Sequence, residues 1–185
     1  MTPIAIRPCV GPNATELSPD PPQKSRPYAK DGPGGPALGA VRVYTDGASR
    51  GNPGPAAIGV VVCDAGDRIL RRHRELLGEA TNNEAEYRAI LRGLKLAAMY
   101  TKGEVELTCD SQLAVRQLTG AYRVRKGDLM ELVHAVREAE RNFDRVVYRH
   151  APRMTGRLAL ADRLANVALD RRAPRRFRGS RGPTA

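Results

Sequence analysis

From residue 41 onward the hydrophobic and polar positions fall into short, regular blocks. VRVYTD (41–46) is strand-like, GASRGNPGP reads as a turn, and AAIGVVVCD is a second strand rich in Val and Ile. After the turn Asp64-Ala65-Gly66-Asp67, the segment RILRRHRELLG predicts a third strand, and the three together form an antiparallel meander. The period then changes. Over 83–100, Ile90, Leu94 and Ala97 recur at helical spacing, which predicts a long helix. EVELTCD is a fourth strand running into a short helix, SQLAVRQLTG. A further helix over 126–140 leads to a fifth strand, DRVVYRH, and a final helix covers 158–171. The order βββαβααβα predicts an α/β domain, a mixed sheet with helices packed on its faces.

The ends of the chain have another texture. Residues 1–39 are crowded with Pro and Gly and show no sustained apolar periodicity, so a flexible leader is expected there, with the folded domain at 40–171. The stretch 172–185 reads as a disordered tail rich in arginine: Arg172, Arg175, Arg176, Arg178 and Arg181 are interrupted by Pro and Gly. Across the 185 residues, 31 Lys and Arg face 20 Asp and Glu, an excess that suits a polyanionic partner as well as a merely soluble basic surface. Three cysteines without CxxC spacing indicate neither a disulfide framework nor a zinc site, and Cys63 and Cys109 are expected in the core. No apolar run approaches the length of a membrane span, and no signal-peptide core is visible, so a cytoplasmic monomer is the expectation.

Four acidic residues stand where acid is not the obvious structural choice. Asp46 ends an apolar strand and Asp110 ends another; ligands bind at the carboxyl ends of strands in open α/β sheets, so the two can converge. Either alone could be a turn former or helix cap. In Thr81-Asn82-Asn83-Glu84-Ala85-Glu86-Tyr87, an N-cap at Thr81 would make Glu84 the partner of a capping box. Glu86 lies about 200° further round the helix, on the face of Ile90 and Gly93 that meets the sheet. A carboxylate there needs a partner, and a metal ion is one. Asp162 sits on a helix otherwise rich in Ala and Leu, either as a fourth ligand or as an ion-pair partner of Arg163 or a nearby arginine. Clustered carboxylates raise one another's pKa, and divalent metal removes that cost. Magnesium takes oxygen ligands, and two such ions can serve phosphodiester cleavage, with manganese a possible substitute.

The segments YTDGASRGNPGP, TNNEAEYRAILRGL, TCDSQLAVRQLTG, and HAPR followed by ADRLANVAL resemble, in order, the four motifs of the type 1 ribonuclease H family. The resemblance spans about 41–170 and implies the RNase H-like fold: a five-stranded mixed sheet of three antiparallel and two parallel strands. It implies hydrolysis of the RNA strand of RNA–DNA hybrids, leaving 5′-phosphate and 3′-hydroxyl ends. Asp46, Glu86 and Asp110 match the family's metal-binding carboxylates and Asp162 the fourth. His150 matches a mobile-loop histidine that aids proton transfer or product release. Asn52, Asn82, Asn83 and Gln112 match positions contacting the hybrid in its minor groove, Thr81 matches a contact to a DNA phosphate, and Gly47 is grouped with these substrate-binding positions. Amide side chains suit a protein that reads groove shape and 2′-hydroxyls at any sequence.

The chain departs from the pattern in three places. His150 precedes Asp162 by two residues more than usual, and MTGRLALA replaces the usual polar loop. AYRVRKGD stands where some members carry a long basic handle, leaving Arg123, Arg125, Lys126 and the tail to hold the hybrid. Residues 1–39 resemble no hybrid-binding domain. Two other functions stay open: a catalytically silent nucleic-acid-binding module, and a related metal-dependent DNA nuclease.

Overall fold

The computed structural model describes residues 38–124 and 127–172. Most of the leader, Cys9, Arg125, Lys126 and residues 173–185 lie outside the described residues. The chain runs through β1 (Leu38–Ser49), β2 (Gly54–Asp64), β3 (Ile69–Ala80), α1 (Asn82–Ala97), β4 (Thr101–Cys109), α2 (Gln112–Leu118), α3 (Gly127–Glu140), β5 (Arg145–His150) and α4 (Gly156–Arg172). The strands form one five-stranded sheet in the order β3-β2-β1-β4-β5. β1 pairs antiparallel with β2, and β2 with β3, while β4 runs parallel to both β1 and β5. The expected α/β mixed sheet is the fold observed.

Alternation along the strands sorts their side chains onto two faces. Val41 and Val43 of β1 and Val60 and Val62 of β2 point towards Ile90 and Leu94 of α1 and share a core with Leu107 and Cys109 of β4. Val61 and Cys63 point the other way, against Ala161 of α4. β2 is therefore covered on both sides, which is why its sequence is a continuous apolar run instead of an alternation. Each fully buried Val, Ile or Leu in these layers contributes about 1.5–3 kcal/mol. Small residues set the spacing: a Cβ on Gly59 would lie 1.9 Å from the Ala161 carbonyl oxygen, so α4 sits directly on the β2 backbone.

The elements match the sequence pattern with shifted ends. β1 begins at Leu38, before the strand-like block at 41, because Leu38 and Ala40 pair with Thr101 and Glu104 of β4. α1 stops at Ala97 instead of reaching Tyr100, and the 98–100 turn carries the chain directly into β4.

Candidate active site

β1 and β4 are neighbours and parallel, with Thr45 opposite Cys109, so the next residues along, Asp46 and Asp110, emerge side by side at the carboxyl edge of the sheet. The third carboxylate comes from α1. Thr81 is its N-cap, and the capping box with Glu84 is complete: the Thr81 hydroxyl accepts from the Glu84 N–H, and the Glu84 carboxylate accepts from the Thr81 N–H at 2.7 Å. With Glu84 spent on the cap, Glu86 turns inward beside Ile90 and is 3% exposed. Gly47 allows the approach. A Cβ there would fall 2.3 Å from the Ala85 carbonyl carbon and 2.4 Å from the Glu86 nitrogen. The Gly47 N–H donates to the Glu86 carboxylate.

One oxygen from each of Asp46, Glu86 and Asp110 lies within 4.8 Å of the others. Burial pushes Asp46 up to about 7, with Asp110 and Asp162 adding to the rise and Arg153 opposing it. Burial also holds Glu86 well above the usual carboxylate range, reinforced by Asp110 and Asp46. Both Asp46 oxygens, Glu86 Oε2 and Asp110 Oδ1 are buried and accept no hydrogen bond among the described residues. Buried carboxylate oxygens in such a set are costly unless a cation satisfies them. Three convergent oxygen donors fit a hard divalent ion such as magnesium or manganese.

Arg153, which sequence reasoning passed over, enters this cluster from the loop between β5 and α4. Its Nε lies 2.7 Å from Asp110, 3.5 Å from Asp46 and 3.7 Å from Asp162. Asp162 thus joins the site by facing the same guanidinium, and its Oδ1 also accepts from Asn166 Nδ2 at 3.1 Å. The available signal was the arginine of HAPR itself, a cation held between Pro152 and the next helix. His150 is the last residue of β5, opposite Cys109 and exposed.

The remaining candidates line the same edge. The Asn52 side-chain Oδ1 accepts the Asn82 backbone N–H at 3.1 Å, tying the β1–β2 loop to the start of α1. The Ser49 hydroxyl pins that loop again by donating to the Ala80 carbonyl at 2.8 Å. Asn82 and Asn83 are exposed in the first turn of α1, and Gln112 is exposed at the start of α2, just after the N-cap Ser111.

A β3-β2-β1-β4-β5 sheet with a carboxylate from α1 meeting those at the carboxyl ends of β1 and β4 defines a ribonuclease H-like domain with an acidic centre that could hold a cation. The profile of the reverse transcriptase-like family matches residues 44–168. The chain belongs to the type 1 ribonuclease H family. It is 45% identical over 132 residues to ribonuclease HI of Halobacterium salinarum, covering 71% of this chain and 65% of that one. It is 40% identical over 131 residues to the bifunctional protein Rv2228c of Mycobacterium tuberculosis, of which it spans 35%. The chain therefore spans less than two thirds of the length of these curated relatives. Among solved structures, RNase H1 of Halobacterium salinarum superposes with a TM-score of 0.69 at 44% identity, covering 72% of this chain and 99% of that one. LC11-RNase H1, solved in complex with an RNA/DNA hybrid, gives 0.67 at 39% identity, covering 71% and 97%.

Proposed function

We propose that this protein is a magnesium-dependent endoribonuclease that hydrolyses the RNA strand of RNA–DNA hybrids. The observation that carries the reading is the trio Asp46, Glu86 and Asp110, each offering an oxygen within 4.8 Å of the others at the carboxyl edge of the sheet, with several of their buried oxygens accepting no hydrogen bond among the described residues. A pure binding module for a polyanion gains nothing from buried acid at its centre, which would repel phosphate unless a cation intervened. In this reading those three residues hold the metal, and Asp162 helps hold a second ion. When bound, two ions supply Lewis acidity to the attacking water and to the leaving 3′-oxygen, giving 5′-phosphate and 3′-hydroxyl ends. Manganese is a possible substitute.

The chain's own residues do the rest. Asn52, Asn82, Asn83 and Gln112 present amides to the minor groove, and Thr81 and Gly47 flank the strand on the same edge. In this reading His150, exposed at the end of β5, aids proton transfer or product release. The solved hybrid complex of LC11-RNase H1 supports the choice of substrate. We read the protein as cytoplasmic, on the free, buried thiols of Cys63 and Cys109, which suit a reducing compartment, and take a monomer as the default state. Among the described residues, no helix is long and apolar enough to cross a membrane.

Cleavage of a labelled RNA–DNA hybrid in magnesium, beside duplex DNA, duplex RNA and single-stranded RNA, tests this. Cuts confined to the RNA of the hybrid, and lost in EDTA and in Asp110→Asn, are expected. Cutting of duplex DNA would favour the DNA-nuclease reading. Binding without cleavage in either metal would leave a silent module.

A further inference from the structure

The acidic centre already contains a cation. Arg153 Nε donates to Asp110 Oδ2 at 2.7 Å and stands within 3.7 Å of both Asp46 and Asp162, so one guanidinium faces three of the four carboxylates proposed to bind metal. Its side chain is 45% exposed, whereas Asp46 is fully buried; the arginine reaches inward from the surface and is not walled in. It rides on the five-residue connection 151–155, held at one end by the Ala151 N–H on the Cys109 carbonyl and at the other by the Leu158 N–H on the Thr155 carbonyl. Between these anchors, neighbouring Met154 is 80% exposed and packs against little. Arg153 can therefore leave the site by side-chain rotation, without breaking either anchor.

Resting on the metal-dependent reading above, we propose that Arg153 is a resident counter-cation that neutralises the carboxylate cluster before metal enters and must be displaced for metal to bind. A fixed positive charge this close to the carboxylates both stabilises the metal-free fold and repels an incoming divalent ion. The two effects have one origin, so they must change together. A neutral side chain at 153 should weaken the metal-free protein and tighten its metal, while lysine, which keeps the charge, should do neither. This separates a counter-cation from an arginine that helps to build the metal site, whose loss would weaken binding.

The test is calorimetric titration of magnesium and of manganese into EDTA-stripped, dialysed full chain: wild type, Arg153→Met and Arg153→Lys. Melting temperatures are taken with and without metal. Arg153→Met is expected to bind metal roughly tenfold more tightly than wild type, the partly exposed charge tempering a larger Coulombic effect. It should also melt lower without metal, and Arg153→Lys should stay within about threefold of wild type on the same argument. Unchanged or weaker binding by Arg153→Met, with wild type binding normally, overturns this proposal alone. Failure of wild type to bind either metal overturns the metal-dependent reading with it. Should Arg153→Met not fold without metal, the Nε–Hε resonance of Arg153 in wild type decides by itself. It should move on metal addition as the bond to Asp110 breaks, and a resonance that stays put overturns displacement.

Discussion

The backbone N–H of Gly47 donates to the Glu86 carboxylate, and a methyl group on Gly47 would lie 2.4 Å from the Glu86 nitrogen. The glycine beside the first aspartate thus sets where the glutamate stands. Because the obstructing atoms are helix backbone, they cannot rotate aside, and Gly47→Ala must push α1 off β1. It should destabilise the domain by about 1–3 kcal/mol in denaturant unfolding. Hybrid cleavage should fall by roughly 100-fold, since an ångström of misplacement is costly at a reacting centre. A variant that melts normally and cleaves at the wild-type rate would show that the contact does not govern the site.

Without metal, the protein should lose stability as pH rises. Burial holds Asp46 at about 7 in the folded chain, against 3.8 for an ordinary aspartate. Between those values the folded chain binds more protons than the unfolded one, so stability falls as pH climbs through this window. Glu86, also raised by burial, acts in the same direction. Asp64 is lowered, chiefly by the Arg68 backbone N–H, so its opposite effect lies at lower pH. Each unit of upward shift costs about 1.4 kcal/mol once the group is forced to ionise. In EDTA the melting temperature should therefore be higher at pH 5 than at pH 8, and Asp46→Asn should flatten the difference and raise the value at pH 8. A melting temperature that rises with pH in EDTA, unaltered by Asp46→Asn, would contradict this account.

Much of this arrangement was legible in the sequence because it depends on local rules. The separation of Glu84 from Glu86 needed only the capping box and the helical period, and both hold in the structure. Asp46 and Asp110 were legible as strand-end residues, and the parallel pairing of β1 with β4 places them side by side. What stayed hidden was non-local. Arg153 meets Asp110 across 43 residues of sequence, from a loop whose course no periodicity sets. The extension of β1 back to Leu38 also escaped, because its partners lie on β4 and the leader's Gly and Pro mask the start of the strand. The structural alternative for Asp162 was an ion pair with Arg163 or a nearby arginine; the cation it meets is Arg153, nine residues away on the other side of a turn.

Buried Tyr87, next to Glu86, donates its hydroxyl to Gln117 Oε1 at 2.7 Å, and Gln117 Nε2 reaches the Arg123 carbonyl at 3.5 Å. This chain of contacts links the helix bearing the glutamate to the end of α2 and to the segment carrying Tyr122 and Arg123. Tyr87→Phe keeps the ring but leaves a buried amide oxygen unpaired, at about 1–3 kcal/mol. We expect a lower melting temperature with metal affinity unchanged, since the Glu86 backbone does not depend on the hydroxyl. Loss of metal binding in Tyr87→Phe would mean that the pair positions Glu86 itself.

The four carboxylates should not respond alike to amide substitution. Asp46, Glu86 and Asp110 share one 4.8 Å cluster; Asp162 faces it only through Arg153, keeps a bond to Asn166, and has a side chain 21% exposed to solvent. A carboxylate outside the three-oxygen cluster is more readily replaced by water than one within it, so the site should tolerate its loss better. Asp110→Asn should cut hybrid cleavage roughly 1,000-fold or more, as expected when a group holding the reacting charges is removed. Asp162→Asn should cost only roughly 10- to 100-fold. Part of that loss should return at high manganese, whose affinity for such a site exceeds that of magnesium. Turnover of a labelled hybrid over a metal titration measures all of this. Equal losses in the two variants, with no recovery in manganese, would place Asp162 on a par with the clustered three.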